Sequence, residues 1–417
     1  MKVIEGYDVK IFTDNIEGNA LEQIKELLTI DVFSDKKIRI MPDVHAGAGC
    51  VIGFTGDLGD KVIPNIVGVD IGCGMRILNL GKLVDIDYHA FHEHIRGNVP
   101  SGKFVREDKF GFKPLVGEEM EIYSEAKKLV TELYCYRELK DTGRLNKSIG
   151  TLGGGNHFIE LDKDEEENVY LVIHTGSRNL GKQVAEIYQA KAVKHLTTGA
   201  DEFEDTIKRT IEEYKAAGRR SELQTVIKKM RTEHEVAQPA LPTDLCYVEG
   251  EAREHYLHDM RICQRWAVLN RKLISLLLIQ FFPEVTVLEE FESVHNYISD
   301  DNIIRKGSIS AGKGERCIIP LNMRDGSLLC TGKGNSDWNS SAPHGAGRML
   351  SRTQAYEKIT MEDFEASMHG IYSESVNDFT RDESPMVYKP ASEIIANIGD
   401  TVTIDIIIRP IFNFKAS

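Results

Sequence analysis

Residues suited to holding metal ions and phosphates are strung through almost the whole chain, and nothing divides the chain between them. Four glycine-rich clusters carry most of them: Asp70-Ile71-Gly72-Cys73-Gly74, Gly153-Gly154-Gly155-Asn156-His157, His174-Thr175-Gly176-Ser177-Arg178 and His344-Gly345-Ala346-Gly347-Arg348. The chain has no internal repeat, low-complexity linker or clean domain boundary, and the spread of candidates from position 43 to the last residues favours one domain folded around a central site. That organisation predicts a single large α+β domain over residues 1–417, with mixed sheets and helices around a central site. The length allows one such domain or two of ordinary size.

The cluster at 344–348 is ill suited to packing. Its small residues let backbone approach a ligand, and Arg348 offers a rigid fork of donors for phosphate oxygens. His344 then presents a ring nitrogen beside a bound phosphate, as nucleophile or base; the plainer alternative is an inert surface turn. Asp70 and Cys73 lie three positions apart between apparent strands. A hard carboxylate and a soft thiolate together suit a borderline divalent ion such as Mn²⁺ or Zn²⁺, and a thiolate can bridge two ions. His157, His174 and His295 each sit beside a strand and are the imidazole candidates. Their spacing matches no zinc-finger or HExxH pattern. His89, His92, His94 and His195 lie in helical or polar contexts and are expected at the surface.

Periodicity predicts a short amphipathic helix over 19–28 and strands at 37–41, 61–69 and 75–80. It predicts a helix over 118–140, a buried strand over 169–174 and a long helix over 251–282, whose apolar stretch from Leu273 reads as a buried helix end. Strands follow at 285–290, 316–320 and 327–331, then helices near Met361 and Ser392 and a strand over 401–408. Residues 183–235 read as polar helix broken at 217–220. The charged part, about 200–235, is expected to be a solvated insertion, because acidic and basic residues are interleaved.

Composition excludes several classes. The net charge of −14 argues against a broad basic surface for duplex nucleic acid, though it leaves room for a local groove. No apolar run approaches the ~20 residues a membrane span needs. The first residues lack a signal-peptide apolar region, and seven scattered cysteines argue against a disulfide framework. A reducing cytoplasm is the expected location.

The motifs Met41-Pro42-Asp43-Val44-His45, Val67-Gly68-Val69-Asp70-Ile71-Gly72-Cys73-Gly74-Met75, Gly155-Asn156-His157-Phe158-Ile159-Glu160, His174 to Arg178, His295-Asn296-Tyr297, Arg305-Lys306-Gly307 and His344 to Arg348 resemble those of the RtcB family of RNA ligases, in the family's order. The resemblance implies joining of RNA ends bearing a 3′-phosphate or 2′,3′-cyclic phosphate to 5′-hydroxyl ends, in tRNA splicing or RNA repair. It implies GTP, two Mn²⁺ ions and a histidine–GMP intermediate, with an activating protein partner possible and no membrane. Carried onto this chain, it makes Cys73 the bridge between the ions, with Asp70, His157, His174 and His295 completing the two sites. His344 would be guanylylated and Asp43 would orient its ring. The resemblance gives Asn156 the GTP phosphates and gives Glu160, Ser327, Tyr388 and Lys415 the guanine side of the pocket, with Gly345, Ala346, Gly347 and Arg348 beside them. Arg178 and Arg352 would hold RNA phosphates.

The chain departs from the family where Pro320-Leu321-Asn322-Met323-Arg324 stands in place of the usual Pro-Gly-Ser-Met-Gly. Asn322 is thereby expected to replace a guanine-pocket serine, with Arg324 turned to solvent or to a phosphate. Lys415 is followed by Ala416-Ser417 rather than by glycine. The alternatives are a family paralogue acting on another nucleic-acid end and a metal-dependent phosphodiesterase that only opens cyclic phosphates. A purely hydrolytic two-metal site needs no histidine beyond its ligands, which is the role left to His344.

Overall fold

The computed structural model describes residues 1–107, 112–197, 200–233 and 239–416. Two large sheets carry the architecture. The six-stranded sheet runs in the order Lys2–Val3, Val9–Ile11, Ile38–His45, Ile52–Asp57, Ile303–Lys306, Asn296–Ile298. The seven-stranded sheet runs Glu289–Val294, Gly74–Lys82, Asn168–Thr175, Phe158–Lys163, Val402–Lys415, Gly326–Gly332, Arg316–Asn322. Every neighbouring pair in both is antiparallel except Val9–Ile11 with Ile38–His45. The expected mixture of sheets and helices is what the chain forms.

Because side chains alternate across a strand, the seven-stranded sheet has two unlike faces. Val169, Leu171 and Ile173 join Leu78, Ile159, Leu161, Phe412 and Phe414 in one apolar layer, covered by Ile274 and Leu278 of the helix Gly250–Ile279. Met75, Ile77, Phe158, Tyr170 and Val172 pack on the opposite face. The same alternation puts His174, Glu160, Asn413 and Lys415 on that second face. Register then aligns a row across four strands, with Met75 opposite His174, His174 opposite Phe158, and Phe158 opposite Lys415.

His295 is the joint between the sheets. It separates Glu289–Val294, an edge strand of the seven-stranded sheet, from Asn296–Ile298, an edge strand of the six-stranded one. Segments far apart in sequence therefore meet at this seam. The 30-residue helix Gly250–Ile279 lies behind it, with Tyr256, Trp266 and Leu273 in the larger apolar cluster. Each large apolar side chain buried this way stabilises the fold by roughly 1.5–3 kcal/mol.

Some predicted elements change. The expected strand over 61–69 is a two-residue strand, Lys61–Val62, followed by a one-turn helix, Pro64–Val67. Pro64 presets the helical φ at its first turn, overriding the β-branched composition, and Gly68 closes it at φ +92°. The helix over 118–140 stops at Thr131. The strand expected at 285–290 instead starts at Glu289, where pairing with Asn79 begins. The strand expected over 401–408 extends to Lys415. Within the charged segment, the helices Ala200–Ala216 and Leu223–Glu233 flank Gly218 at φ +72°; residues 234–235 of the expected insertion lie outside the described residues. No described helix is long and apolar enough to cross a membrane.

Candidate metal centre and adjoining cavity

The loop Asp70–Cys73 turns back on itself through Cys73 N–H to the Asp70 carbonyl at 3.1 Å and enters the strand Gly74–Lys82. Cys73 Sγ lies 3.5 Å from His157 Nε2 and 3.3 Å from His174 Nε2. His157 Nε2 is also 3.2 Å from Asp70 Oδ2. Two groups of ligand atoms result, Asp70–Cys73–His157 and Cys73–His174–His295, each within 4.8 Å and sharing Cys73. All five residues singled out as metal ligands are thus brought together.

The far side of two rings shows which nitrogen is free. His157 Nδ1 donates to the Leu152 carbonyl at 3.0 Å and His174 Nδ1 to the Asn156 carbonyl at 3.1 Å. A carbonyl can only accept, so Nδ1 carries a hydrogen and Nε2 is the ring nitrogen turned toward Cys73. Burial, with His157 and His344 respectively adding to it, holds His174 and His295 well below the usual imidazole range. Burial and then Asp70 push the Cys73 thiol well above its usual range. Burial raises Asp70 most, but the hydrogen bond and charge of His157, with Cys73 and His174, together outweigh it and leave the carboxyl at about 2. Imidazoles, a carboxylate and a thiol able to lose a proton form a donor set that fits borderline divalent ions.

The helix Gly250–Ile279 braces the ligand loops from behind. Arg271, fully buried, donates to the carbonyls of Gly72 and Thr175 at 2.9 Å each and to Glu292 Oε2 at 2.8 Å. Asn270 Oδ1 accepts from Gly150 N at 2.7 Å, and its Nδ2 donates to the carbonyls of Thr151 and Gly176. Asn296 Nδ2 donates to the Asp70 carbonyl at 3.2 Å. The sequence reading passed over Asn270 and Arg271. Their signal is two polar residues between Trp266 and Leu273 on the buried stripe of an amphipathic helix.

His344 lies across the seam, its ring centroid 5.0 Å from that of His295. Its Nδ1 donates to Asp43 Oδ2 at 2.7 Å, leaving Nε2 free. Asp43 is fully buried in the strand Ile38–His45. Gly347, at φ +76°, runs so close that a Cβ there would collide with the Asp43 carbonyl. Lys389 Nζ holds the preceding Pro42 carbonyl at 2.9 Å.

A cavity of about 360 Å³ opens beside these rings. Asn156, Glu160, Asn322, Ser327, Gly345, Ala346, Gly347, Arg348, Tyr388, Lys415 and Arg352 all line it, as does His45. Burial holds His45 at about 4. Burial also pushes Glu160 up to about 7, against a hydrogen bond from Asn413 at 2.6 Å and the charge of Lys415. Ser327 Oγ is buried in the wall without a partner. Glu383, unforeseen from sequence, gathers Lys415 at 3.1 Å, Arg348 at 3.2 Å, Arg352 at 3.1 Å and the Tyr388 hydroxyl at 2.8 Å.

Two cavity residues are engaged differently from what their types suggest. The guanidinium of Arg348 donates to the carbonyls of Leu350 and Asp382 as well as to Glu383, so protein acceptors occupy its fork. Asn322 Oδ1 accepts from the backbone N–H of Arg324 and Asp325, and its Nδ2 donates to Asp325 at 2.8 Å, closing a turn. Arg324 pairs with Asp325 at 2.8 Å, half exposed. Arg178 holds the Gly102 carbonyl and Thr151 Oγ1 from the left-handed region (φ +59°) and lines a neighbouring open cavity with Lys103, Arg144 and Lys182. Of the histidines expected at the surface, His92 is buried, at 5% exposure, and His94 is partly buried against the Leu277 carbonyl.

A family model described as tRNA-splicing ligase RtcB matches residues 23–416. The chain is 29% identical to the RNA-splicing ligase RtcB of Escherichia coli, over 99% of this chain and 98% of that protein. It is 26% identical to the tRNA-splicing ligase RtcB of Aeropyrum pernix, over 85% of this chain and 82% of that protein. With the tRNA-splicing ligase RtcB of Archaeoglobus fulgidus it shares 23% identity, over 91% and 87% of the two chains.

Proposed function

The chain belongs to the RtcB family, and on that premise we propose that it is a GTP- and Mn²⁺-dependent RNA ligase, one catalytic domain joining 3′-phosphate or 2′,3′-cyclic phosphate ends to 5′-hydroxyl ends in tRNA splicing or RNA repair. The observation that carries the reading is His344. It faces the ligand cluster with Nε2 free and Nδ1 tied to a buried carboxylate, an arrangement that hydrolysis does not need and nucleophilic catalysis does. Nε2 attacks the α-phosphorus of GTP, pyrophosphate leaves, and GMP remains on the ring. Asp43 balances the positive charge the imidazole gains and fixes its tautomer. GMP then passes to an RNA 3′-phosphate, and the 5′-hydroxyl of the second end attacks that activated phosphate and releases GMP.

Asp70, Cys73 and His157, and Cys73, His174 and His295, would hold the two Mn²⁺ ions, which when bound neutralise charge on phosphate oxygens. For the base, guanine offers an acceptor at O6 beside donors at N1 and N2. The Lys415 ammonium, the Glu160 carboxylate and the unpartnered Ser327 hydroxyl supply a matching set, and Tyr388 gives the pocket a flat wall. Asn156 at the cavity mouth suits the GTP phosphates, and Arg352 and Arg178 suit those of RNA. Seven unpaired, buried cysteines suit a reducing cytoplasm. Incubation with α-labelled GTP and Mn²⁺, followed by a denaturing gel, tests the proposal. Covalent label lost in His344→Ala is expected; label retained in that variant, or absent from the unaltered chain, would overturn it.

A further inference from the structure

A third cluster of ligand-type side chains stands apart from both triads and lines neither cavity. The helix Tyr88–Asn98 carries His89, His92 and Glu93 at relative positions i, i+3 and i+4, which puts two imidazoles and a carboxylate on one face. Glu374 meets that face from a distant segment. Ligand atoms of His92, Glu93 and Glu374 all lie within 4.8 Å of one another.

The details are those of ligands rather than of a hydrogen-bonded pair. His92 Nε2 and Glu374 Oε2 are 3.4 Å apart. That is long for a charge-assisted hydrogen bond, yet two ligands at ~2.1 Å from one tetrahedral ion stand about 3.4 Å apart. The His92 ring is buried with Nε2 toward Glu374, while its Nδ1, on the other side of the ring, takes no part in the cluster. Glu374 Oε1 is held by the Tyr372 hydroxyl at 2.7 Å and by His89 Nδ1 at 3.0 Å, which leaves Oε2 aimed at His92. Such outer contacts orient a metal-ligating carboxylate. Glu93 accepts from Arg96 at 3.2 Å, an exposed, solvent-screened pair that ligation readily displaces.

We propose that His92, Glu93 and Glu374 form a separate divalent-cation site for a borderline ion of the Zn²⁺ type, with its fourth position open to water. Glu374 immediately precedes Ser375, whose hydroxyl donates to the Lys415 carbonyl at 2.9 Å and accepts from Lys415 N at 2.8 Å. An ion here ties the helix Tyr88–Asn98 to the strand that delivers Lys415.

The test titrates Zn²⁺ calorimetrically, against a competing chelator, into the full chain carrying Cys73→Ala. One stoichiometric equivalent is expected to remain, and Glu93→Gln and Glu374→Gln are each expected to weaken it at least about tenfold. Co²⁺ in the same variant should give the visible absorption of a tetrahedral site. On the unaltered chain, which keeps the test valid should Cys73→Ala not fold, Glu93→Gln should lower Zn²⁺ stoichiometry by one. Glu93 is half exposed, and melting in EDTA checks that its substitution leaves the fold intact. Absence of stoichiometric Zn²⁺ in Cys73→Ala, or affinity and stoichiometry indifferent to Glu93→Gln and Glu374→Gln, would overturn the site.

Discussion

Asp43 Oδ2 accepts the Nδ1 hydrogen of His344 at 2.7 Å, across 301 positions of sequence. The carboxylate comes from the middle of a buried strand, and its other oxygen, Oδ1, has no partner. Among the described residues, His344 is therefore the one hydrogen-bond partner of this carboxylate. Replacing Asp43 with Ala frees the ring to rotate and to take the other tautomer. Covalent labelling from GTP should slow on the order of 10²–10⁴-fold while the circular dichroism spectrum is retained. A labelling rate within a few-fold of the unaltered chain would show that the carboxylate orients nothing.

Cys73 is the ligand common to both triads. Cys73→Ala should lower bound manganese toward zero, whereas His295→Ala should remove mainly one equivalent. Elemental analysis of the purified variants decides it, and undiminished manganese in Cys73→Ala would mean the thiol is a bystander.

Ion binding should release a proton. With its pKa pushed well up by burial and by Asp70, Cys73 is a neutral thiol at pH 7 in the ion-free chain, and it has to ionise to act as a ligand. The buried imidazoles of His174 and His295, held low, are already neutral and contribute no proton. Affinity should thus rise with pH, by about tenfold per unit for one displaced proton, and fall as pH drops. Titration of Mn²⁺ in buffers of different ionisation enthalpy should show about one proton released per chain from this thiol; no release would contradict thiolate ligation.

Arg271 ties the Gly72 and Thr175 carbonyls, each next to a ligand, to Glu292. Arg271→Met keeps bulk but leaves the partly buried Glu292 carboxylate with Arg76 alone and takes the arginine's donors from two carbonyls. A loss of about 3–5 kcal/mol in urea unfolding is expected, together with 10–100-fold weaker Mn²⁺ binding. If stability fell while Mn²⁺ affinity held, the arginine would be a core residue and nothing more.

Asn322 closes its turn with both ends of its amide. Asn322→Ala should cost about 1 kcal/mol of stability and leave the ratio of guanylylation to adenylylation unchanged. A collapse of that ratio would return Asn322 to the base pocket.

Chemistry was more legible in the sequence than connectivity. The ligand types stood out because glycine-rich loops give fold stability no reason to hold Asp70, Cys73 or His157. The apolar run over 169–173 likewise delivered His174 at the end of a buried strand. What stayed hidden were partners whose roles depend on tertiary neighbours. Glu383 lies in a plain acidic stretch until Lys415, Arg348 and Arg352 close around it, and Arg271 looks like one more helix charge. Element boundaries failed where one residue overrode composition, as Pro64 did, or where a distant strand set the register, as Asn79 did for Glu289. His92 misled because its helix is polar, while the face that buries it belongs to Phe414 and Glu374.

The strand Val402–Lys415 follows every other strand in the chain, yet it lies inside the seven-stranded sheet, between Phe158–Lys163 and Gly326–Gly332. A ribosome therefore releases both neighbours long before the strand that separates them. Until it arrives, each presents an open row of backbone donors and acceptors, and the two could pair with each other or with another chain. Closing a loop of such length is slow because its entropy is lost before any contact compensates. The nascent chain would thus emerge with its ligand loops already made and its sheet still unsealed, a stage at which a chaperone would find two adjacent apolar edges to hold.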